Sequence, residues 1–195
     1  MKQIKYNPEI HHRRSIRIKE YDYSREGLYF ITICTSNHKR LFGHIDNSEM
    51  VLDGFGEIAH NEWYRTGEMR KNIILQEFVI MPNHMHGIIE INDSTRRGTM
   101  PRALVHRDTR NQGTMLCAPT EQFGKPTFNT IPTIVRGFKS TVTKQINNIR
   151  NTPGNPVWQR SYYEHVIRNE KSYNRISEYI RYNPEKWLQD KYYLD

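Results

Sequence analysis

The sequence contains little cysteine and no long apolar run, and both absences narrow the class of protein. Two cysteines in 195 residues, Cys34 and Cys117, are too few for a disulfide framework and lie too far apart for a CxxC motif. No stretch of about 18 consecutive apolar residues occurs, and residues 1–20 carry charges where a secretory signal needs an apolar core. We therefore expect a cytoplasmic protein that is neither secreted nor embedded in a membrane.

Apolar residues are scarce as well. They make up 36% of the chain, below the roughly 45–50% of an average globular protein, so we expect a modest core. The length suits one domain over residues 1–195. Residues 92–130 have no sustained period and contain scattered Gly and Pro, which predicts a flexible loop inserted in that domain.

Acidic residues are outnumbered, and the formal net charge is +8. Both chain ends are basic, with +4 in residues 1–20 and +5 in residues 131–195, whereas residues 21–91 carry −4. Basic segments with interleaved aromatics, as at Arg160 to Tyr163, favour a polyanion whose bases can stack. Charge alone leaves open a basic, well-solvated surface.

Hydrophobic periodicity predicts alternating strands and helices. Strands are predicted at 28–35, 73–81, 84–91 and 157–167, and helices at 53–69, from Ile134 to just before Pro153, and at 170–182. Asp53 and Asn169 are the expected N-caps of the first and last helices. Pro82 and Asn83 either join two adjacent strands or break one strand. This order predicts an α+β fold with a central, largely antiparallel sheet and helices packed on it.

The motif His84-Met85-His86 lies on a predicted strand. Residues i and i+2 of a strand point to the same face, so the two imidazoles can converge on one divalent cation while Met85 turns into the core. In a chain with nine histidines the same spacing also arises by chance, which leaves two packing histidines as the alternative.

Two further segments carry candidate chemistry. Tyr179 and Asn183 are four residues apart on the last predicted helix, so a phenol and an amide oxygen can face one site. Alternatively, Tyr179 packs on the sheet and Asn183 caps the helix ahead of Pro184. In residues 158–168 aromatic and basic residues alternate, which fits either a nucleic-acid platform or a half-buried strand.

Together these segments resemble the single-tyrosine HUH transposases, and among them the REP-associated tyrosine transposases. The resemblance rests on residues 81–89 (MPNHMHGII), 158–168 (WQRSYYEHVIR) and 179–184 (YIRYNP), with further similarity at 21–35. It covers almost the whole chain except residues 92–131. Three separated motifs in the right order are far more specific than one pair of histidines.

The resemblance implies roles at the matching positions. His84 and His86 match the two histidines of the HUH motif, which bind Mg²⁺ or Mn²⁺, and Asn183 matches the third metal ligand. Tyr179 matches the nucleophilic tyrosine. The implied fold is a ferredoxin-like or RRM-like α+β domain, and the implied substrate is single-stranded DNA beside a short imperfect hairpin. Cleavage and rejoining are expected to pass through a 5′-phosphotyrosine without a nucleotide cofactor. A monomer is expected rather than a dimer.

We also expect basic side chains to contact the DNA. These are Arg13, Arg14, Arg17 and Lys19 in a basic N-terminal arm over residues 1–20, together with Arg136, Lys139 and Arg160. The tyrosine needs help to ionise, because a phenol has a reference pKa near 10. The sequence does not identify the base that supplies this help, and His165 is one candidate.

Two other functions remain compatible with the same residues. One is a non-catalytic module that binds single-stranded nucleic acid on an RRM-like sheet through Tyr162 and Tyr163. The other is a metal-dependent hydrolase that uses His84 and His86 with water as the nucleophile. Only the tyrosine enzyme forms a covalent adduct with DNA.

Overall fold

The computed structural model describes residues 23–92 and 130–193. The strands are β1 (Gly27–Cys34), β2 (Gly43–Asp46), β3 (Glu49–Leu52), β4 (Ile73–Met81), β5 (His84–Ile91) and β6 (Tyr163–Ile167). The helices are α1 (Gly54–Glu68), α2 (Ile131–Arg150) and α3 (Glu170–Arg181), with short 3₁₀ turns at Ser36–His38 and Trp187–Gln189. The predicted N-terminal arm, with Arg13, Arg14, Arg17 and Lys19, lies outside the described residues, as do residues 93–129 of the predicted loop.

Four strands form one antiparallel sheet in the order β4-β5-β1-β6, and β2 and β3 form a separate hairpin. The predicted α+β fold with a central antiparallel sheet is therefore confirmed. In the register, Thr32 on β1 lies between His86 on β5 and Tyr163 on β6. These three residues form one row across the sheet, so their side chains share a face.

The strands β4 and β5 have the predicted bounds and are joined by the tight turn at Pro82 and Asn83. Both predicted caps are also present. Asp53 Oδ1 accepts from the backbone N–H groups of Phe55 and Gly56 at 2.9 Å. Asn169 Oδ1 accepts from the N–H of Ser172 at 2.8 Å. Each cap satisfies N–H groups that the first turn of a helix leaves without a partner.

One prediction from periodicity needs correction. Only Tyr163–Ile167 of the predicted strand 157–167 pairs as a strand. Before it, a single bridge joins Thr35 to Trp158, and the ammonium of Lys139 on α2 donates to the carbonyls of Gln159 (2.5 Å) and Arg160 (3.2 Å). These carbonyls therefore bond to a helix side chain instead of a neighbouring strand.

The hairpin of β2 and β3 was not predicted. Each strand has four residues, and the burial alternates between half-buried and exposed positions, so the apolar signal is weak. Asn47 and Ser48 connect the strands with φ of 47° and 65°, the left-handed conformation of a tight hairpin turn.

Apolar side chains cover the two faces of the sheet unequally. The larger cluster lies under α1 and α2 and includes Trp63, Met85 and Phe138. Gly87 on β5 is required there, because a Cβ would come within 2.8 Å of the Trp63 ring. The smaller cluster, which includes Phe30 and Ile180, lies under α3. His84 and His86 alternate with Met85 and so face the smaller cluster. None of the helices in the described segments has both the length and the apolar character of a membrane span.

Candidate metal and tyrosine site

The start of β5 places two histidines side by side. His84 and His86 are fully buried, and their Nε2 atoms are 3.1 Å apart. Met85 between them is buried in the opposite cluster, as the strand period predicts. The two Nε2 atoms thus lie side by side on the α3 face of the sheet.

The other ring nitrogens are held by neighbouring polar groups. Nδ1 of His84 donates to Asn83 Oδ1 at 2.8 Å, and Nδ1 of His86 is 2.8 Å from Thr32 Oγ1. The Asn83 amide is itself fixed, because its Nδ2 donates to the carbonyl of Tyr192 at 2.7 Å. Partners of this kind set the ring orientation and the tautomer of histidines that bind metals.

Burial keeps both imidazoles neutral. It lowers the pKa of His84 to about 4, although the nearby Asp190 carboxylate opposes the shift. Burial, together with the neighbouring His84, holds the pKa of His86 well below its usual value. A metal requires the neutral imidazole, so this site presents its histidines in the state that a cation binds.

Helix α3 brings the tyrosine to the histidines of the same chain. The Tyr179 hydroxyl is 3.0 Å from His86 Nε2 and donates to Asp190 Oδ2 at 3.3 Å. Burial raises the pKa of this phenol, and the Asp190 charge raises it further. Tyr179 nevertheless remains 38% exposed, so a large substrate can approach it from solvent.

Asn183, in the turn after α3, is 2% exposed. Its Nδ2 donates to Asp190 Oδ2 at 2.9 Å, whereas its Oδ1 is buried without a hydrogen-bond partner among the described residues. A buried carbonyl oxygen without a partner is costly in a protein interior. A divalent cation would satisfy this oxygen, so the residues present fit a metal.

Asp190 was not predicted as a site residue. Its Oδ1 accepts from the backbone N–H of Tyr192 at 2.7 Å. With His84 and His86 it forms a group whose ligand atoms all lie within 4.8 Å of one another. Asp190 follows Asn183 by seven residues, beyond the helix, so no periodic spacing connects it to the motifs.

The other predicted site residues lie elsewhere. His165 is exposed on β6 opposite Phe30, and the partners of the Tyr179 hydroxyl among the described residues are His86 and Asp190. Arg136, Lys139 and Arg160 line one groove of about 660 Å³ between α2 and residues 153–162. Burial lowers the pKa of Lys139 to about 8. Contact of these three side chains with DNA remains a prediction.

Comparison with known proteins gives a relative in sequence and solved structures with a similar fold. No protein-family profile matches the chain. An uncharacterized protein of Haemophilus influenzae is 45% identical over 192 residues, which is 98% of each chain. Among solved structures, a REP-associated tyrosine transposase bound to a REP hairpin matches with a TM-score of 0.53 and 17% identity, over 92% of this chain and 77% of the other. The chain therefore belongs to one family with the Haemophilus influenzae protein, and it has the fold of a REP-associated tyrosine transposase.

Proposed function

We propose that the protein is a single-tyrosine transposase that cleaves and rejoins single-stranded DNA. The observation that carries the proposal is the Tyr179 hydroxyl, which lies 3.0 Å from His86 Nε2 in the same chain. The fold is shared with a transposase that was solved bound to a REP hairpin, which supports hairpin DNA as the substrate. Because one chain carries the tyrosine and both histidines, we also propose that it acts as a monomer.

His84, His86 and Asn183 would hold Mg²⁺ or Mn²⁺, with the Asp190 carboxylate beside them. A divalent cation bound there supplies positive charge that polarises the scissile phosphate and favours the ionised phenol. Imidazole nitrogens with amide and carboxylate oxygens are suitable ligands for Mn²⁺ and acceptable ones for Mg²⁺. Asp190 also orients the Asn183 amide, since its bond to Nδ2 turns Oδ1 away from the carboxylate.

Tyr179 performs the covalent step. Its oxygen attacks the phosphorus, a new O–P bond forms, and the P–O3′ bond breaks. The products are a 5′-phosphotyrosine and a DNA strand with a free 3′-OH. The phenol proton passes to the Asp190 carboxylate 3.3 Å away, and the departing 3′ oxygen takes up a proton from solvent. Attack by another 3′-OH reverses the step and joins two strands, so no nucleotide cofactor is needed.

The N-terminal arm and the groove beside α2 complete the proposed DNA contacts. Arg13, Arg14, Arg17 and Lys19 supply positive charge in the arm, and Arg136 and Arg160 supply it in the groove. Such contacts position DNA through its phosphates without reading bases. They are expected to make binding strongly dependent on salt.

Adduct formation tests the proposal. The full chain is incubated with MnCl₂ and a labelled pool of hairpin oligonucleotides with randomised single-stranded flanks, and denaturing gels then reveal a labelled protein band. Mass spectrometry is expected to place the DNA on Tyr179. Tyr64→Phe, which alters an exposed tyrosine on α1, serves as the matched control. An adduct on another tyrosine would overturn the assignment of Tyr179.

The same assay separates the two alternatives. A binding module of the RRM type would retain the oligonucleotides in a native gel without cleaving any of them. A hydrolase that uses water would release cleaved DNA without labelling the protein. Cleavage together with a labelled protein band is expected only from the tyrosine enzyme.

A further inference from the structure

The two edges of the α3 face of the sheet differ in charge. Toward β4, Glu77 accepts from the Tyr173 hydroxyl at 2.8 Å, and Glu90 accepts from Gln76 at 2.6 Å. Toward β6, a notch of about 470 Å³ opens between the strand and the first turns of α3. Arg181 lies 3.9 Å from Glu77 and offsets part of this negative charge. The β6 side is therefore the more favourable one for a polyanion that reaches Tyr179.

The basic notch is defined by Arg168, Lys171 and Arg175, with His165 on its β6 wall. All four side chains are exposed. Among the described residues no acidic side chain lines the notch. Three cations around one concave surface suit phosphate groups, which these side chains bind with charge-assisted hydrogen bonds.

Tyr163 lies between the metal site and the basic notch. It belongs to the same cross-strand row as His86 and Thr32, about 10 Å from His86 at the usual strand spacing. The ring is 48% exposed, unlike a core aromatic. The Lys191 ammonium lies 5.7 Å from its centroid, which adds a positive charge beside the exposed ring.

Aromatic rings connect Tyr163 to the candidate nucleophile. The centroid of the Phe30 ring lies 6.2 Å from that of Tyr163 and 6.3 Å from that of Tyr179, and both pairs are edge to face. Phe30 also stacks on His86 at 5.4 Å. The buried Phe30 ring thus joins the exposed rings of Tyr179 and Tyr163. Bases stack on exposed aromatic rings of this kind with little regard to sequence.

We propose that Tyr163 and the basic notch form the subsite for the single strand next to the cleaved phosphate. The strand runs from Tyr179 across β1 and β6, a base stacks on Tyr163, and the following phosphates bind Arg168, Lys171 and Arg175. This inference rests on the proposed function, because the path of the DNA strand is assumed to start at Tyr179. The occupant is single-stranded DNA of any sequence.

Binding without chemistry tests the subsite. The full-length Tyr179→Phe variant is titrated against a fluorescein-labelled oligothymidine, so the result does not depend on cleavage. Stacking contributes about 1–3 kcal/mol per base, so adding Tyr163→Ala should weaken binding roughly tenfold. Tyr163→Phe keeps the ring and should restore the affinity. Tyr64→Ala, at an exposed tyrosine of α1, is the matched control and should have no effect.

The salt dependence of binding tests the basic notch separately. Replacing Arg168, Lys171 and Arg175 by Gln should reduce the slope of log affinity against log salt by about 2, at roughly 0.7 per lost phosphate contact. Lys71→Gln, at an exposed site before β4, should leave the slope unchanged.

Photocrosslinking provides a test that needs no Tyr163 or notch variant. Oligothymidine with 5-iodouracil at successive positions should crosslink to Tyr163 in the otherwise unaltered Tyr179→Phe chain. Crosslinks confined to Trp158 or Tyr162, wild-type affinity for Tyr163→Ala, or an unchanged salt slope would overturn the subsite. Adduct formation on Tyr179 would still stand in each of those cases.

Discussion

The two faces of the central sheet use alternate residues of the same strands for opposite purposes. On β5, Met85 and Ile89 point into the large core under α1 and α2. His84 and His86, the neighbours of Met85, point to the α3 face, where the apolar cluster is small. The strand residues on the first face are apolar, whereas on the second face β5 presents two buried histidines. The Asn183 Oδ1 atom is also buried near them, without a partner among the described residues. A strand thus carries a reactive site at a fixed position because its other side is held by packing.

Replacing Tyr179 is the most direct test of the difference between the two faces. Tyr179→Phe removes one oxygen from the α3 face and leaves the core unchanged. We expect it to abolish the covalent adduct, since no nucleophile remains, while DNA affinity stays within a few fold, because phosphate contacts dominate binding. Denaturing gels and fluorescence anisotropy measure the two effects. A persistent adduct would assign the chemistry to another tyrosine.

The histidines should give the next largest effect. His84→Ala or His86→Ala removes an imidazole ligand, so we expect almost complete loss of metal-dependent cleavage. Calorimetric titration with Mn²⁺ should show no binding in the double variant. His44→Ala, at an exposed position of β2, is the control for histidine loss. Unchanged Mn²⁺ binding in the double variant would make His84 and His86 packing residues.

Sequence patterns predicted the elements that depend on local signals. β4 and β5 had the right bounds, because apolar, largely β-branched and aromatic residues flank the turn at Pro82 and Asn83. Val157 and Trp158 also favour a strand, yet they are buried without extended pairing. The extent of strand pairing depends on Lys139 of α2, a contact between distant segments that periodicity does not reveal.

The candidate site was likewise predictable where the signal was local and not where it depended on distant contacts. The spacing of His84 and His86 placed them on one face, and the resemblance selected Tyr179 and Asn183. Asp190 gave no signal, because it reaches the site from a turn beyond the last helix. Its position is set by the N–H of Tyr192 and the amide of Asn183. Such contacts between irregular segments are visible only in the folded chain.

Met85, between the two histidines, tests the face of the sheet that packs under α1 and α2. Met85→Ala opens a cavity in the larger core, where Met85 is fully buried, and should cost about 2–5 kcal/mol of unfolding free energy. Urea denaturation measures the loss. Below the unfolding transition, Mn²⁺ affinity should stay close to wild type, because the imidazoles lie on the other face. A large loss of metal affinity in the folded variant would show that the two faces are coupled.

The smallest effect is expected at Asn183. Asn183→Ala removes the buried Oδ1 atom that has no partner among the described residues and also the bond from Nδ2 to Asp190. A neutral amide is a weaker ligand than imidazole, and water can replace it, so cleavage should be reduced but still measurable. Asn183→Asp restores an oxygen ligand but places a second carboxylate beside Asp190, which should strengthen Mn²⁺ binding and weaken the metal-free fold.

Initial rates of adduct formation across a range of Mn²⁺ concentrations distinguish a ligand from a packing residue. If high Mn²⁺ rescues Asn183→Ala, the amide holds the metal. A rate deficit that no Mn²⁺ concentration changes would confine Asn183 to positioning Asp190.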